Sequence, residues 1–400
     1  MKLSLEQEAH AWGTRRIVRL TGIENDSRRQ HEILFDLAGE AALSAPPVLD
    51  GFVMAVIFYA MRIGEDIHVD GSLSQEAVMN LREFQEAWRC WRPAVYRPIS
   101  ISATNIVRTM PSDQKPRAIS AFSGGLDACF TLARHRLHLL GDCSYPLDSV
   151  MMVHGFDIPL DHSASFDALV ARVRPVLGDL GVQLRIVRTN LRSLNLQDWE
   201  DSHIAQLAGC LHNFSSEFRY ALVGSAKPYA NLHIPYGSNP ISDPLLSGAA
   251  MRLVHDGAGF SRTEKAAFLA RFPRIRSAIK VCWESDDPSR NCGVCEKCVR
   301  TQLNFLAAGC SRPECFDRPL DENLIRTITF LGDGQLREWA SIRTFAERIG
   351  LHDRWLTLVK RRLAAHRLRT PVDAYWFAEF KLRRGVAKLR RWAGMHPFTR

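Results

Sequence analysis

Four of the ten cysteines in this 400-residue chain fall at Cys282, Cys292, Cys295 and Cys298, the last three in a C-x2-C-x2-C run. Thiolates are soft donors, and four of them make a closed tetrahedral set for Zn2+, leaving no coordination position for chemistry at the metal. The two short gaps bring three sulfurs together, and Gly293 permits a tight turn. The nine residues between Cys282 and Cys292 let the remaining ligand arrive from another direction. By spacing alone an iron-sulfur cluster is the chemical rival, and a redox C-x-x-C is a less economical one. Cys310 and Cys315 read as ordinary thiols.

A second stretch, Phe122-Ser123-Gly124-Gly125-Leu126-Asp127-Ala128, puts two glycines and an acid between the apolar run RAISAF and a helix-length segment. Glycines allow close backbone approach, so loop N–H groups can converge on phosphate oxygens where the helix terminus adds partial positive charge. Ser123 offers a hydroxyl. Asp127 beside phosphates needs an intervening cation, for which Mg2+ is chemically suited. Read without a ligand, the same residues make a strand-to-helix turn with Asp127 complementing the helix N-terminus.

Neither G-x-x-x-x-G-K-[ST] nor G-x-G-x-x-G is present. SGGLDA resembles instead the S-G-G-x-D-S pyrophosphate loop of the ATP-pyrophosphatase (PP-loop) superfamily, with Ala128 in place of the last serine. The later run CWESDDPSRNCGVCEKC resembles the zinc segment of the 7-cyano-7-deazaguanine synthase-like (QueC-like) branch. The resemblance covers about residues 115–310. It implies an adenine nucleotide alpha hydrolase-like (HUP-type) parallel α/β sheet in a three-layer domain. It also implies a ligase that takes ATP, adenylates an acceptor oxygen, releases pyrophosphate and lets ammonia or an amine displace AMP. On that basis Ser123, Asp127 and Lys265 are catalytic candidates, with Phe122 to Ala128 as the nucleotide loop. Lys265 gains its place because a threonine, an acid and a lysine before an apolar helix resemble the Thr-Lys region of the same branch. His154 and Asp157, in MMVHGFDIPLD, are carried over as nucleotide-pocket candidates; a helix-capping Asp157 and a satisfied loop histidine are the alternatives.

Two further clusters are read from the residues themselves. YGSNPISDPL offers Ser238, Asn239 and Asp243 in an irregular segment suited to a second substrate or to a rigid Pro-bounded turn. Arg262 and Lys265, at i and i+3, can neutralise charge developing on pyrophosphate or simply form a solvated face.

These groups need a frame. Residues 1–112 form a first α+β accessory unit, with RIVRLTG a strand, VLDGFVMAVIFYAMRIG a buried helix or strand, and a helix opened by Ser74. Residues 113–281 alternate β-rich runs with helix-length segments, the pattern of parallel strands with crossover helices. A helix is expected from about Asp198 to Leu222, and a capping box at Ser261 and Glu264 opens another. The zinc segment spans 282–310 and a helical C-terminal extension spans 311–400. That extension ends in Lys381–Arg400, with seven Lys or Arg and no acid in a chain of net charge +9. Such a tail suits a solubilising final helix, an acidic partner or membrane phosphate; nucleic acid is the less favoured partner. The longest apolar run, Phe52–Met61, is too short to span a bilayer, and the start carries no apolar leader segment, so a cytoplasmic protein is expected. A small-molecule or peptide acceptor is the expected substrate, with a protein partner or homodimer suggested by the extensions. Other readings are an RNA-modifying, sulfur-transferring enzyme, for which Cys129 and Cys210 are unassigned candidates, and an idle nucleotide-binding scaffold.

Overall fold

The computed structural model describes residues 1–26, 28–39, 43–108, 116–282, 284–285 and 287–367; the basic tail, Lys381–Arg400, lies outside them. The chain opens with an antiparallel meander, β1 (Lys2–His10), β2 (Gly13–Thr21) and β3 (Gln30–Ala38). Every second residue of β2 is buried, Thr14, Arg16, Val18 and Leu20, as the two-residue period of a strand requires. Helix α1 (Asp50–Ile63) follows, buried over almost its whole surface, which settles the helix-or-strand ambiguity of that apolar run. Then come β4 (Ile67–Ser74), α2 (Gln75–Trp91), whose N-cap Ser74 accepts from the Ala77 N–H at 3.1 Å, and β5 (Ile101–Val107).

The next stretch alternates β6 (Ala118–Ala121), α3 (Leu126–Arg136), β7 (Leu147–His154), α4 (Ser163–Asp179), β8 (Gln183–Thr189), α5 (Trp199–His212), β9 (Tyr220–Gly224) and β10 (Arg252–Asp256). All ten strands form one sheet, ordered β10-β9-β6-β7-β8-β3-β2-β1-β4-β5. The five from β10 to β8 are mutually parallel, and β3 joins them antiparallel through Phe35↔Thr189. Residues 1–112 and 113–281 therefore share a sheet, and they share a core in which α1 and α2 pack with α5.

Alternation within the parallel strands feeds two cores. Ile119, Met151, Ala221 and Val223 enter the core with α1 and α5. Ala118, Val150, Met152 and Leu222 enter the other, with α3 and α4. Helices thus cover both faces of these strands, a three-layer mixed α/β arrangement.

One expectation is corrected. The helix expected to Leu222 ends at His212, and Tyr220–Gly224 is strand β9 between β6 and β10. A five-residue apolar run after a helix carries no periodicity that separates it from another helical turn.

The C-terminal part is helical: α6 (Arg262–Leu269), α7 (Pro273–Ser277), α8 (Glu296–Ala307), α9 (Glu322–Thr327), α10 (Asp333–Arg348) and α11 (Arg354–Arg367). Helix α8 belongs to two cores. Cys298 and Phe305 face the sheet side, whereas Val299, Leu303 and Ala307 join a third core with α9 to α11. Among the described residues no helix is long and apolar enough to cross a membrane.

Candidate functional site

The strand order reverses between β6 and β9. From β6 the chain moves outward through β7 to β8, and it returns through α5 to place β9 on the other flank. A crevice at such a switch point, beyond the C-terminal ends of the strands, is where open α/β sheets receive ligands. Phe122–Ala128 follows β6 at that end of the sheet. The Phe122 N–H extends the β7 pairing to Met151 O at 2.8 Å, and Phe122 and Leu126 anchor the loop in the core. Gly124 takes φ 73°, a region that favours glycine, and its carbonyl accepts from the Lys280 N–H at 2.8 Å. Gly125 is the N-cap of α3, and its N–H reaches Ser123 Oγ at 3.3 Å. Among the described residues the N–H groups of Ser123, Gly124, Leu126 and Asp127 donate to no protein acceptor. The first N–H groups of any α-helix are left open in this way, and such donors can receive an anion. Gly224 brings the end of β9 against this loop, for a Cβ there would lie 2.8 Å from the Asp127 backbone.

Asp127 is ion-paired on both oxygens, Oδ1 with Lys265 Nζ at 3.1 Å and Oδ2 with Arg262 Nη2 at 3.0 Å. Burial works to raise its pKa, but Arg262 and Lys265 outweigh it and hold the carboxyl below the ordinary range. Both cations come from the first turn of α6, aligned by the capping box in which Ser261 and Glu264 satisfy each other's backbone N–H. Lys265 is 1% exposed and also donates to Ser225 O, just beyond β9. Lys280 adds another cation, its pKa lowered chiefly by burial.

The other candidates divide. Asp157 stands at the same edge, exposed, 3.9 Å from Arg192 Nη1. His154 is turned inward instead, hydrogen-bonded through Nε2 to Pro159 O at 2.9 Å and stacked on Phe166 at 4.5 Å. Asp243 is fully buried and clasps its own loop, accepting from Ser238 Oγ at 2.8 Å and the Asn239 N–H at 2.9 Å, with His255 Nδ1 at 2.7 Å. Those three residues hold the turn. Cys129 and Cys210 are fully buried, and burial pushes both thiols far above their ordinary range.

Several residues at this edge carry no motif. Lys227 sits over the Tyr236 ring at 4.2 Å, and a file of aromatic rings runs from Tyr236 through His203 and Trp199 to Phe156, with centroid spacings of 5.3, 5.9 and 5.1 Å. Reading YALVG as a strand would have placed Ser225 and Lys227 at the edge; nothing in the sequence singles out Tyr236 or Trp199. A separate cavity of about 280 Å³, lined by Glu76, Arg219, Tyr220, Gly248, Ala249 and Arg252, lies where β9 and β10 begin, at the opposite edge.

The four cysteines converge as their spacing implied. All four sulfurs lie within 4.8 Å of one another, with Cys282–Cys295 and Cys292–Cys298 each at 3.8 Å. A tetrahedron with metal–sulfur bonds of about 2.3 Å has edges of about 3.8 Å, so the cluster can hold a metal ion. Asn291 ties the strand-like approach to the turn: its Oδ1 accepts from the Val281 and Cys282 N–H groups, and its Nδ2 donates to Ile279 O and Cys315 O. Hydrogen bonds from Cys295 and Cys298 push the Cys282 thiol down, while sharing with Cys282 raises Cys295 to about 12 and raises Cys298 as well. The Cys282 thiolate forms readily while Cys295 and Cys298 resist, a conflict that a divalent cation relieves.

Comparison of the chain with protein-family models, with curated proteins and with solved structures found no match.

Proposed function

We propose that the chain is an ATP-dependent ligase of the PP-loop kind, adenylating an acceptor oxygen at the β6–α3 corner. The uncommitted N–H groups of Ser123, Gly124, Leu126 and Asp127, at the C-terminal end of β6 where the strand order reverses, support this reading. They suit the leaving pyrophosphate, and Arg262, Lys265 and Lys280 supply charge around it. An acceptor oxygen attacks the α-phosphorus, the bond to the β-phosphate oxygen breaks, and pyrophosphate leaves with that electron pair. Ammonia or an amine then attacks the adenylated carbon, and AMP departs. Lys227 and the aromatic file beside it offer the acceptor a cation and flat apolar faces.

Mg2+ does not fit Asp127 as it stands, because both carboxylate oxygens are engaged by cations. No step is assigned to a protein-held Mg2+. Zn2+ does fit the four sulfurs, held by Cys282, Cys292, Cys295 and Cys298. With four protein ligands it would fix the zinc segment against the sheet and supply no open position for catalysis.

The test is equilibrium ATP binding by calorimetry, with pyrophosphate release followed across a panel of carboxylate acceptors plus ammonium. Wild-type protein is expected to bind ATP, and Gly224→Val, which intrudes on the Asp127 backbone, to lose that binding. Absence of ATP binding in the folded wild type would sink the proposal; binding without pyrophosphate release across the panel would leave a nucleotide-binding scaffold, consistent with Ala128.

A further inference from the structure

The cations around Asp127 belong to a larger buried charge cluster that the C-terminal helices complete. Arg262, Lys265 and Arg300 are at most 11% exposed in their side chains, and three carboxylates face them: Asp127, Glu296 and Glu338. Asp127 takes Arg262 and Lys265. Glu296 takes Arg300 Nε at 3.2 Å and also accepts from Trp339 Nε1 at 2.8 Å and Gln335 Nε2 at 3.2 Å. Glu338, on α10, is held differently. Its side chain is 13% exposed, its nearest cation is Arg300 Nη1 at 3.7 Å, and among the described residues it makes no side-chain hydrogen bond.

We propose that Glu338 is a built-in countercharge at the anion site, which a polyanionic ligand must outcompete, so that the C-terminal helices set the site's affinity and its preference for polyphosphates over single-charge anions. This rests on the triphosphate reading of the loop above. Asp127, Glu296 and Glu338 offset the charge of Arg262, Lys265 and Arg300, with Lys297 and Lys227 as further amines beside the group, and Glu338 is the carboxylate with the fewest ties. Burial raises its pKa even though Arg262 and Arg300 oppose the shift, as expected of a carboxylate that its surroundings hold loosely. A phosphate chain brings several charges and many acceptor oxygens to the same cations, whereas chloride or a single carboxylate brings one charge and gains little over Glu338. Helix α10 is fixed over the site by Trp339 and Gln335 on Glu296 of α8, and its last turn reaches α6 through Arg348 and Glu264 at 3.2 Å. The countercharge is therefore part of the folded architecture.

The experiment compares wild type, Glu338→Gln and Glu347→Gln in binding ATP, inorganic pyrophosphate and inorganic phosphate by calorimetry at fixed ionic strength. Glu347 lies on the same helix but is exposed and paired with Lys360 at 2.8 Å, so its variant controls for net charge alone. Removing one negative charge this near the cations is expected to tighten ATP and pyrophosphate binding about tenfold, and to improve phosphate binding by a larger factor, narrowing the preference. Glu347→Gln is expected to match wild type. If wild type binds ATP and Glu338→Gln binds it no more tightly, the countercharge role is overturned while the ATP reading stands. If none of the three proteins binds ATP or pyrophosphate while all remain folded by circular dichroism, the ATP reading falls and the countercharge role with it. Binding of ATP by Glu338→Gln alone would support the countercharge role and overturn the ligase reading of the wild type.

Discussion

Asp127 holds two cations that have almost no water, and this makes it a structural residue as well as a candidate catalytic one. Replacing it with Asn removes the direct ion-pair partner of buried Lys265 and Arg262, which is expected to cost about 3–5 kcal/mol at pH 7. Its folded pKa is depressed below the unfolded value. The stability it contributes is thus fully present above the unfolded carboxylate range and is lost as pH falls through the folded pKa. Urea midpoints of wild type and Asp127→Asn should differ widely at pH 7 and converge progressively below about pH 4. A gap independent of pH would mean that the ion pair does not carry the stability. The charged residues at this corner were recognisable from SGGLDA and SRTEK because each lies within a few positions of a local signal, the glycine turn or the capping box. That Arg262 and Lys265 meet Asp127 itself, and that His154 turns away, depended on how α6 and β7 pack.

At the scale of elements, the four-cysteine segment is a clasp between Ile279–Cys282, the turn at Gly293 and the start of α8. Loss of one sulfur should release all three. Cys295→Ser is expected to lower bound metal well below one ion per chain, measured by mass spectrometry, and to reduce the thermal midpoint by several degrees. Full metal occupancy with an unchanged midpoint would reject the four-sulfur site. The cluster was legible because ligand spacing within one short segment constrains geometry almost without the rest of the fold. The capping box of α6 was legible for the same reason, its partners being three residues apart. Strand β9 was not: its identity comes from hydrogen bonds to β6 and β10, which lie far away in sequence.

In the whole molecule, the cores are linked by shared elements. The sheet feeds two of them and α8 joins the second to the third, so disturbance in the C-terminal helices should reach the metal cluster. Trp339 is fully buried, packs on Phe330 at 5.2 Å and donates to Glu296 on α8. Trp339→Ala should cost about 3–5 kcal/mol. It should also loosen α8, read as faster hydrogen exchange in residues 296–307 and easier removal of metal by a chelator. Exchange and metal retention equal to wild type would show that the helical unit and the cluster are independent.

The sequence by itself determined the short-range chemistry: the cysteine quartet, the glycine corner, the capping box and the alternation of strand and helix after Arg117. Each is written in residues a few positions apart, where backbone geometry alone fixes what can meet. Only the tertiary structure decided that residues 1–112 continue the same sheet, that β9 makes the switch point at the corner, and that a carboxylate from α10 faces Arg300 beside the Asp127 cations. Those outcomes depend on pairing and burial between segments far apart in the chain, which residue order does not encode locally.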